Sequence, residues 1–277
     1  MMLNGEIVHS AKAEGGISAQ VDFVEIAGDK YVLKTDTEFN LNGEKLFQHE
    51  LASIELPHIK TYEHIALKPN QMLMEYIDAE TINGQNFTNA NLTRLGETLS
   101  RVHKRKFDKF QRLDSNGTLQ IDSWTNFVNE MAGKAKKSDY KTAGISNAID
   151  KASIKLKNQS PPDFGLCHGD VHGNNVFCKS DAIILFDNNA DAIVCTPHYD
   201  FAVLFGEVLT GYRYGDEFAQ GPHDSERMKA LLDGYGELPH NFNEYIDSYI
   251  FLRLLARYPN KFIKHQDSII EMLSRGY

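Results

Sequence analysis

The hydrophobic period of this chain changes near Asp78, and that change limits the fold more than any other feature. Short apolar runs separated by turn residues fill the first 77 positions. In "AQVDFVEIAGDKYVLK", the runs Val21 to Ile26 and Tyr31 to Leu33 flank Ala27-Gly28-Asp29, a turn signal. "KTYEHIALKPNQMLMEYI" repeats the plan around Lys68-Pro69-Asn70. Between the two, Asn42 is a candidate cap for a helix from Gly43 to Ile54. The order predicted is strand, strand, helix, strand, strand.

Beyond Asp78 the period becomes helical. "NLTRLGETLSRVH" places Leu92, Leu95, Leu99 and Val102 on one face, and "SWTNFVNEMA" does the same with Trp124, Phe127, Val128 and Met131. Residues Gly133 to Pro162 are polar and lysine-rich and are predicted to form a solvated helix with its loops. Tyr245 to Tyr258 is predicted as a buried helix ended by Pro259. A short linker near Tyr76 to Glu80 divides the chain into residues 1–77, rich in strands, and 78–277, mainly helical. The class predicted is α+β.

The polar residues are most crowded in "LCHGDVHGNNVF", Leu166 to Phe177, where His168, Asp170, His172, Asn174 and Asn175 share eight positions. Val176-Phe177-Cys178 and Ile183-Ile184-Leu185-Phe186 then read as a hairpin around Lys179-Ser180-Asp181, with Asp187 directly after it. Polar groups at the ends of a short apolar hairpin are held on a rigid scaffold. Two chemistries compete. A metallophosphatase places Asp-x-His early in the chain and follows it with Gly-Asn-His to hold two metals. Here the motif lies past the midpoint and no Gly-Asn-His follows. Phosphoryl transfer needs a carboxylate for the acceptor hydroxyl, oxygen ligands for magnesium, and a lysine on the phosphates. Asp170, Asn175, Asp187 and Lys34 supply these types.

In these motifs the chain resembles the aminoglycoside phosphotransferase superfamily, over roughly Ala13 to Phe205. That group includes choline, fructosamine, thiamine and macrolide kinases and shares a two-lobed fold with protein kinases. The resemblance implies a small antiparallel N-lobe with one helix and a larger, mainly helical C-lobe. In "HGDVHGNN", Asp170 would be the catalytic base and Asn175 a magnesium ligand, and in "IILFDNN" Asp187 would be the second ligand. Asp200 of "YDFA" would brace the catalytic loop. Lys34 of "YVLK" would contact the phosphates and pair with a glutamate of the next helix, either Glu44 or Glu50, with Glu44 preferred. Main-chain groups of Glu75 and Ile77 in "LMEYI" would meet the adenine. Gly16 and Ser18 of "EGGISAQ" would border the phosphates. His172 would either contact the transferred phosphate or hydrogen-bond within its loop. ATP and Mg2+ are the implied cofactors.

The net charge of −9 disfavours nucleic acid as a partner and is compatible with a cationic small acceptor. The N-terminus, Met1 to Lys12, lacks a signal-peptide apolar core, and no apolar run is long enough to cross a bilayer. Cys167, Cys178 and Cys195 form no Cys-x-x-Cys pair. A cytoplasmic small-molecule kinase that phosphorylates a hydroxyl is therefore expected. The alternatives are a nucleotide-binding pseudokinase, a metallophosphatase and a protein kinase. The polar insertion before the catalytic loop and the absence of Ala-Pro-Glu after Asp187 disfavour the last. Acceptor recognition is expected from the helical part after "YDFA" and from the insert between Trp124 and Pro162; "GYRYGDEF", Gly211 to Phe218, has aromatics and carboxylates suited to an amine and reads equally as a surface loop.

Overall fold

The computed structural model describes residues 2–12, 19–82, 86–138, 144–159, 163–210, 225–257 and 266–275. Its first part is an antiparallel sheet of β1 (Val8–Lys12), β2 (Gln20–Ile26), β3 (Asp29–Thr35), β4 (Thr61–Tyr62) and β5 (Gln71–Glu75), in the order β1-β2-β3-β5-β4. The β2–β3 hairpin turns through Ala27 and Gly28, both at positive φ, which matches the right-handed twist of the flanking strands. β1 has no counterpart in the predicted order, and β4 is only two residues long. Residues 13–18, which hold Gly16 and Ser18, lie between β1 and β2 and outside the described residues.

The helix α1 (Glu38–Ser53) starts five residues earlier than predicted. Thr37, not Asn42, is its N-cap, and the Thr37 hydroxyl accepts from Asn40 N–H. Threonine caps a helix well because its short side chain reaches the free amides of the first turn. Asn42 lies inside the helix. One face of α1 places Leu41 with Ile59, Met72, Met74 and Ile184, and another places Phe47 and Leu51 in the main core. The helix thus belongs to both lobes.

After Glu75 the chain forms β6 (Glu80–Thr81), α2 (Asn89–His103), β7 (Lys106–Phe107), β8 (Gln111–Leu113), β9 (Leu119–Ile121) and α3 (Trp124–Lys136). Next come α4 (Ile145–Lys157), β10 (Phe164–Leu166), β11 (Val176–Lys179), β12 (Ala182–Leu185) and β13 (Val194–Cys195). The helices α5 (His198–Thr210), α6 (Ser225–Tyr235), α7 (Phe242–Arg257) and α8 (Gln266–Arg275) follow. Among the described residues, no helix is long and apolar enough to cross a membrane.

The short strands build two further sheets, in the orders β7-β10-β13-β8-β9 and β12-β11-β6. The first is absent from the sequence reading, because strands of two or three residues leave no periodic signal. The polar stretch before Pro162 is also corrected. Within it, α4 buries Ile145, Ala148, Ile149, Ala152 and Leu156 and packs against α7. Asp150, on the exposed side of α4, meets Lys136 of α3 at 2.6 Å. Tyr258 and Pro259 lie outside the described residues.

The crossing of α2 on α6 rests on glycine. A Cβ at Gly96 would stand 2.1 Å from Leu231 O, and one at Gly234 would stand 2.0 Å from Thr93 O. Gly96→Ala is therefore expected to cost about 1–3 kcal/mol or more through overpacking against backbone. Gly133→Ala, where nothing lies within 4 Å of the added carbon, should instead stabilise α3 by about 0.5–1 kcal/mol. Urea unfolding of the two variants checks the contrast; equal midpoints would show that α2 and α6 do not pack this closely.

Candidate active site

The crowded stretch begins at the end of β10, whose residues are all buried. Gly169 has φ 75°, and a Cβ there would lie 2.8 Å from Ala192 Cβ, so glycine is required. The loop is pinned by its main chain. His168 N–H and Gly169 N–H donate to the two oxygens of Asp200, at 2.8 and 2.7 Å. Asp200, fully buried, also meets His103 Nε2 at 3.0 Å, and His103 Nδ1 lies 3.0 Å from the Tyr235 hydroxyl. Burial alone would raise the Asp200 carboxyl pKa; the His103 ring and the loop amides outweigh it and hold the group below its ordinary range.

His168 is a cross-link. Its Nε2 lies 2.8 Å from Phe186 O, and its Nδ1 accepts from Asp170 N–H at 3.3 Å. A neutral ring protonated at Nε2 satisfies both. Burial lowers the His168 pKa, which keeps the ring neutral. Both ring nitrogens are thus committed within the loop, which withdraws His168 from metal binding.

Asp170 faces the cleft between the lobes. Its Oδ1 is 2.9 Å from Arg253 Nη2 on α7, and its Oδ2 is 3.6 Å from His172 Nε2. His172 is buried beside it. The chain then makes a single 3-10 turn, Gly173–Asn175, before β11. Asn175 Nδ2 donates to Asp170 O at 3.0 Å and to Asp187 O at 3.1 Å. One amide therefore joins the loop to the residue after the β11–β12 hairpin.

Asp187 sits at φ 57°, a left-handed conformation that a short polar side chain tolerates. Its Oδ1 is 2.6 Å from Lys34 Nζ, and its N–H donates to Glu44 Oε1 at 3.2 Å. Lys34 Nζ is also 2.7 Å from Glu44 Oε2. Glu50 lies elsewhere, 2.9 Å from Arg105 Nε. Lys34 is only 6% exposed although it stands near a strand end. Burial alone would lower its pKa, but the Glu44 and Asp187 carboxylates hold it above the ordinary lysine value, so the ammonium stays charged.

Of the remaining candidates, Glu75 ends β5 and its N–H donates to Lys60 O at 2.9 Å. Ile77 is half-buried against the cluster of Leu41, Met72 and Met74. Residues 211–218 lie outside the described residues. The structure also adds residues that the motifs did not indicate. A cavity of about 380 Å3 holds Lys34, Asp170 and Asp187 together with Asn188, Tyr199 and Arg253. Arg253 had a readable signal, a lone charge inside the apolar run "YIFLRLLA". Gln48 had none; it ties α1 to Leu185 O at 2.8 Å and accepts from Ile59 N–H at 2.7 Å.

The profile of the phosphotransferase enzyme family, APH, matches residues 11–239. The chain belongs to this family. It is a small-molecule kinase with the two-lobed kinase-like fold. Solved structures share that fold across nearly the whole chain. A spectinomycin phosphotransferase, solved with ADP and its antibiotic, is 15% identical, with a TM-score of 0.64, over 99% of this chain and 89% of its own. A putative aminoglycoside phosphotransferase from Ralstonia eutropha is 13% identical, with a TM-score of 0.64, over 99% and 92%. An ethanolamine kinase from Plasmodium vivax is 13% identical, with a TM-score of 0.63, over 98% and 83%. No curated protein matches the sequence. At such identities the likeness is one of fold.

The buried ion pair gives a stability test. Lys34→Ala leaves Glu44, 2% exposed, without its counter-charge. The expected loss is about 3–5 kcal/mol. Lys34→Ala/Glu44→Ala should recover part of it, because the unpaired charge goes too. Thermal melts of wild type, single and double variants provide the measurement, and a single variant as stable as wild type would show that the pair is not buried.

Proposed function

We propose that this chain moves the γ-phosphoryl group of ATP to a hydroxyl of a small molecule bound between a nucleotide-binding lobe, residues 1–77, and a catalytic and acceptor-binding lobe, residues 78–277. One observation carries the reading. A single hydrogen-bond network, joined through the Asn175 amide, brings Lys34, Asp170 and Asp187 to one cavity. Lys34, Asp170 and Asp187 come from distant parts of the sequence, and packing alone gives no reason to gather them.

Asp170 orients the acceptor hydroxyl and accepts its proton. Lys34, fixed by Glu44, lies against the phosphates. Asn175 Oδ1 and the Asp187 carboxylate would hold magnesium, both being hard oxygen donors, with Asp187 lining the cavity and the Asn175 amide bonded to its main chain. A magnesium ion held there would neutralise charge on the phosphates. Glu75 and Ile77 offer main-chain groups to the adenine, Glu75 through its carbonyl because its N–H is taken by Lys60. His172, enclosed at 3.6 Å from Asp170, positions the base. Rate enhancement then comes from positioning and charge neutralisation, with no covalent intermediate.

The full set of groups favours this over a pseudokinase. The position of Asp-x-His past the midpoint of the chain and the lack of a following Gly-Asn-His argue against a metallophosphatase.

ATP consumption should appear in a screen of amino sugars, glycated amines, choline, thiamine, macrolides and simple hydroxy compounds. With an accepted acceptor, Asp170→Asn should lower kcat by about a hundredfold or more with nucleotide affinity nearly unchanged. Asp187→Ala should abolish the tightening of ATP binding by magnesium. Full activity in Asp170→Asn, or undiminished magnesium dependence in Asp187→Ala, would refute the assigned roles.

A further inference from the structure

The helix α7 carries a charge through the inside of the molecule. Tyr249, Ile250, Phe251, Leu252, Leu254 and Leu255 are buried, and Arg253 stands among them, only 8% exposed. Packing gives no reason for it. An apolar side chain of similar length would fill the same space without the cost of taking a guanidinium out of water. The charge therefore points to a task at the cavity, which Arg253 lines together with Asp170 and Tyr199.

Its contacts reach the loop that carries the base. Nη2 donates to Asp170 Oδ1 at 2.9 Å and to Gly169 O at 3.5 Å, so one nitrogen holds the carboxylate and the main chain just before it. The guanidinium lies over the Tyr199 ring at 5.4 Å, which fixes its plane. Tyr199 directly precedes Asp200, whose two oxygens take the His168 and Gly169 amides. Consecutive residues of α5 thus brace the loop twice. Asp200 holds its main chain, and Tyr199 acts through Arg253 on the Asp170 side chain. A carboxylate accepts up to about four hydrogen bonds, so a guanidinium contact on one oxygen orients the group without exhausting it.

We infer that Arg253 is a positioning residue for the phosphoryl transfer, holding the Asp170 carboxylate in the orientation from which it meets the acceptor hydroxyl. This rests on the kinase reading above. In the transfer, the acceptor oxygen bonds to the γ-phosphorus, the bond from that phosphorus to the β–γ bridging oxygen breaks, ADP leaves, and the hydroxyl proton goes to Asp170. Arg253 acts on these events through the carboxylate alone. A guanidinium suits the task because its fork is planar, rigid and always charged, whereas an ammonium is a point charge on a flexible stem. Since it does not read the acceptor, its effect falls alike on every acceptor.

The test supplies Mg·ATP with an acceptor accepted in the screen above and, in parallel, with water as the acceptor. It uses wild type, Arg253→Met, Arg253→Lys, Asp170→Asn and Asp170→Asn/Arg253→Met. Arg253→Met should lower kcat by about tenfold to a hundredfold with both acceptors, the scale of a displaced reacting group, with both KM values nearly unchanged. Arg253→Lys should recover part of the rate. In the Asp170→Asn background, Arg253→Met should change kcat by no more than about twofold, because residues acting as one unit are not additive. A higher KM for ATP would put Arg253 on the phosphates. A loss confined to the added acceptor would make it a reader of that molecule, and a full further loss in the double variant would give it a role apart from Asp170. Each of these overturns the inference. Arg253→Met should stay folded in thermal melts, since Asp170 borders the cavity and water can replace the guanidinium there; if it does not, Arg253→Gln carries the same comparisons. Wild-type kcat in Arg253→Met refutes the role of Arg253 and leaves the kinase reading standing. A wild type that Mg·ATP does not stabilise, and that consumes none, refutes the kinase reading itself.

Discussion

The Lys34 ammonium holds the two lobes in their relation. It is carried by β3, Glu44 by α1 and Asp187 by the turn after β12, so one buried cation joins three elements from both lobes. Removing charges from water costs several kcal/mol per ion and is repaid only by close, well-aligned partners. Contacts of 2.7 and 2.6 Å supply them. The arrangement also requires α1 to lie very near the other lobe. Gly43, next to Glu44, permits that approach, since a Cβ there would be 2.5 Å from Ala190 Cβ. Gln48 makes a second tie one turn later, and Phe47 and Leu51 anchor the helix in the main core.

A second set of buried polar contacts holds the catalytic loop. Asp200 takes two amides of the loop and one ring nitrogen of His103, which leaves its charge fully partnered in an apolar surrounding. His168 then ties the amide of Asp170 to the end of the hairpin. The crowding of "HGDVHGNN" follows from this division of labour. His168 and Asn175 shape the loop, and Asp170 is thereby turned toward the cleft with His172 buried beside it. In a water-excluded site, polar groups fixed in advance act on charge without reorganising.

The cavity differs in kind, because each of its paired cations is enclosed by the carboxylates it meets. Arg112 is shared by Glu130, Asp191 and Asp122, and Lys34 by Glu44 and Asp187, so in both clusters the carboxylates outnumber the cation. Net charge describes the long-range field of a molecule, whereas a cavity of a few hundred Å3 is governed by which groups face one another within it.

Much of the plan was legible in the sequence. Alternating runs around Ala27-Gly28 and Lys68-Pro69-Asn70 marked the N-lobe strands, apolar residues at helical spacing marked α2, α3 and α7, and Asp170, Asn175 and Asp187 stood at recognisable spacing. These signals are local, carried by residues within a few positions of one another. The start of α1 was misplaced because Asn42 and Thr37 are both acceptable caps, and packing against both lobes favours the longer helix. The buried face of α4 was hidden among lysines, and the short strands of the second sheet had no period to read. What the sequence determined by itself was the change from strands to helices near Asp78 and the residue types of the chemistry. What only the tertiary structure decided was which charges meet: Lys34 with Glu44 and not Glu50, Arg253 with Asp170, Asp200 with His103. Such pairs join residues as much as 153 positions apart, and a charge binds whichever partner the packing of the core brings within about 3 Å, which no local pattern records.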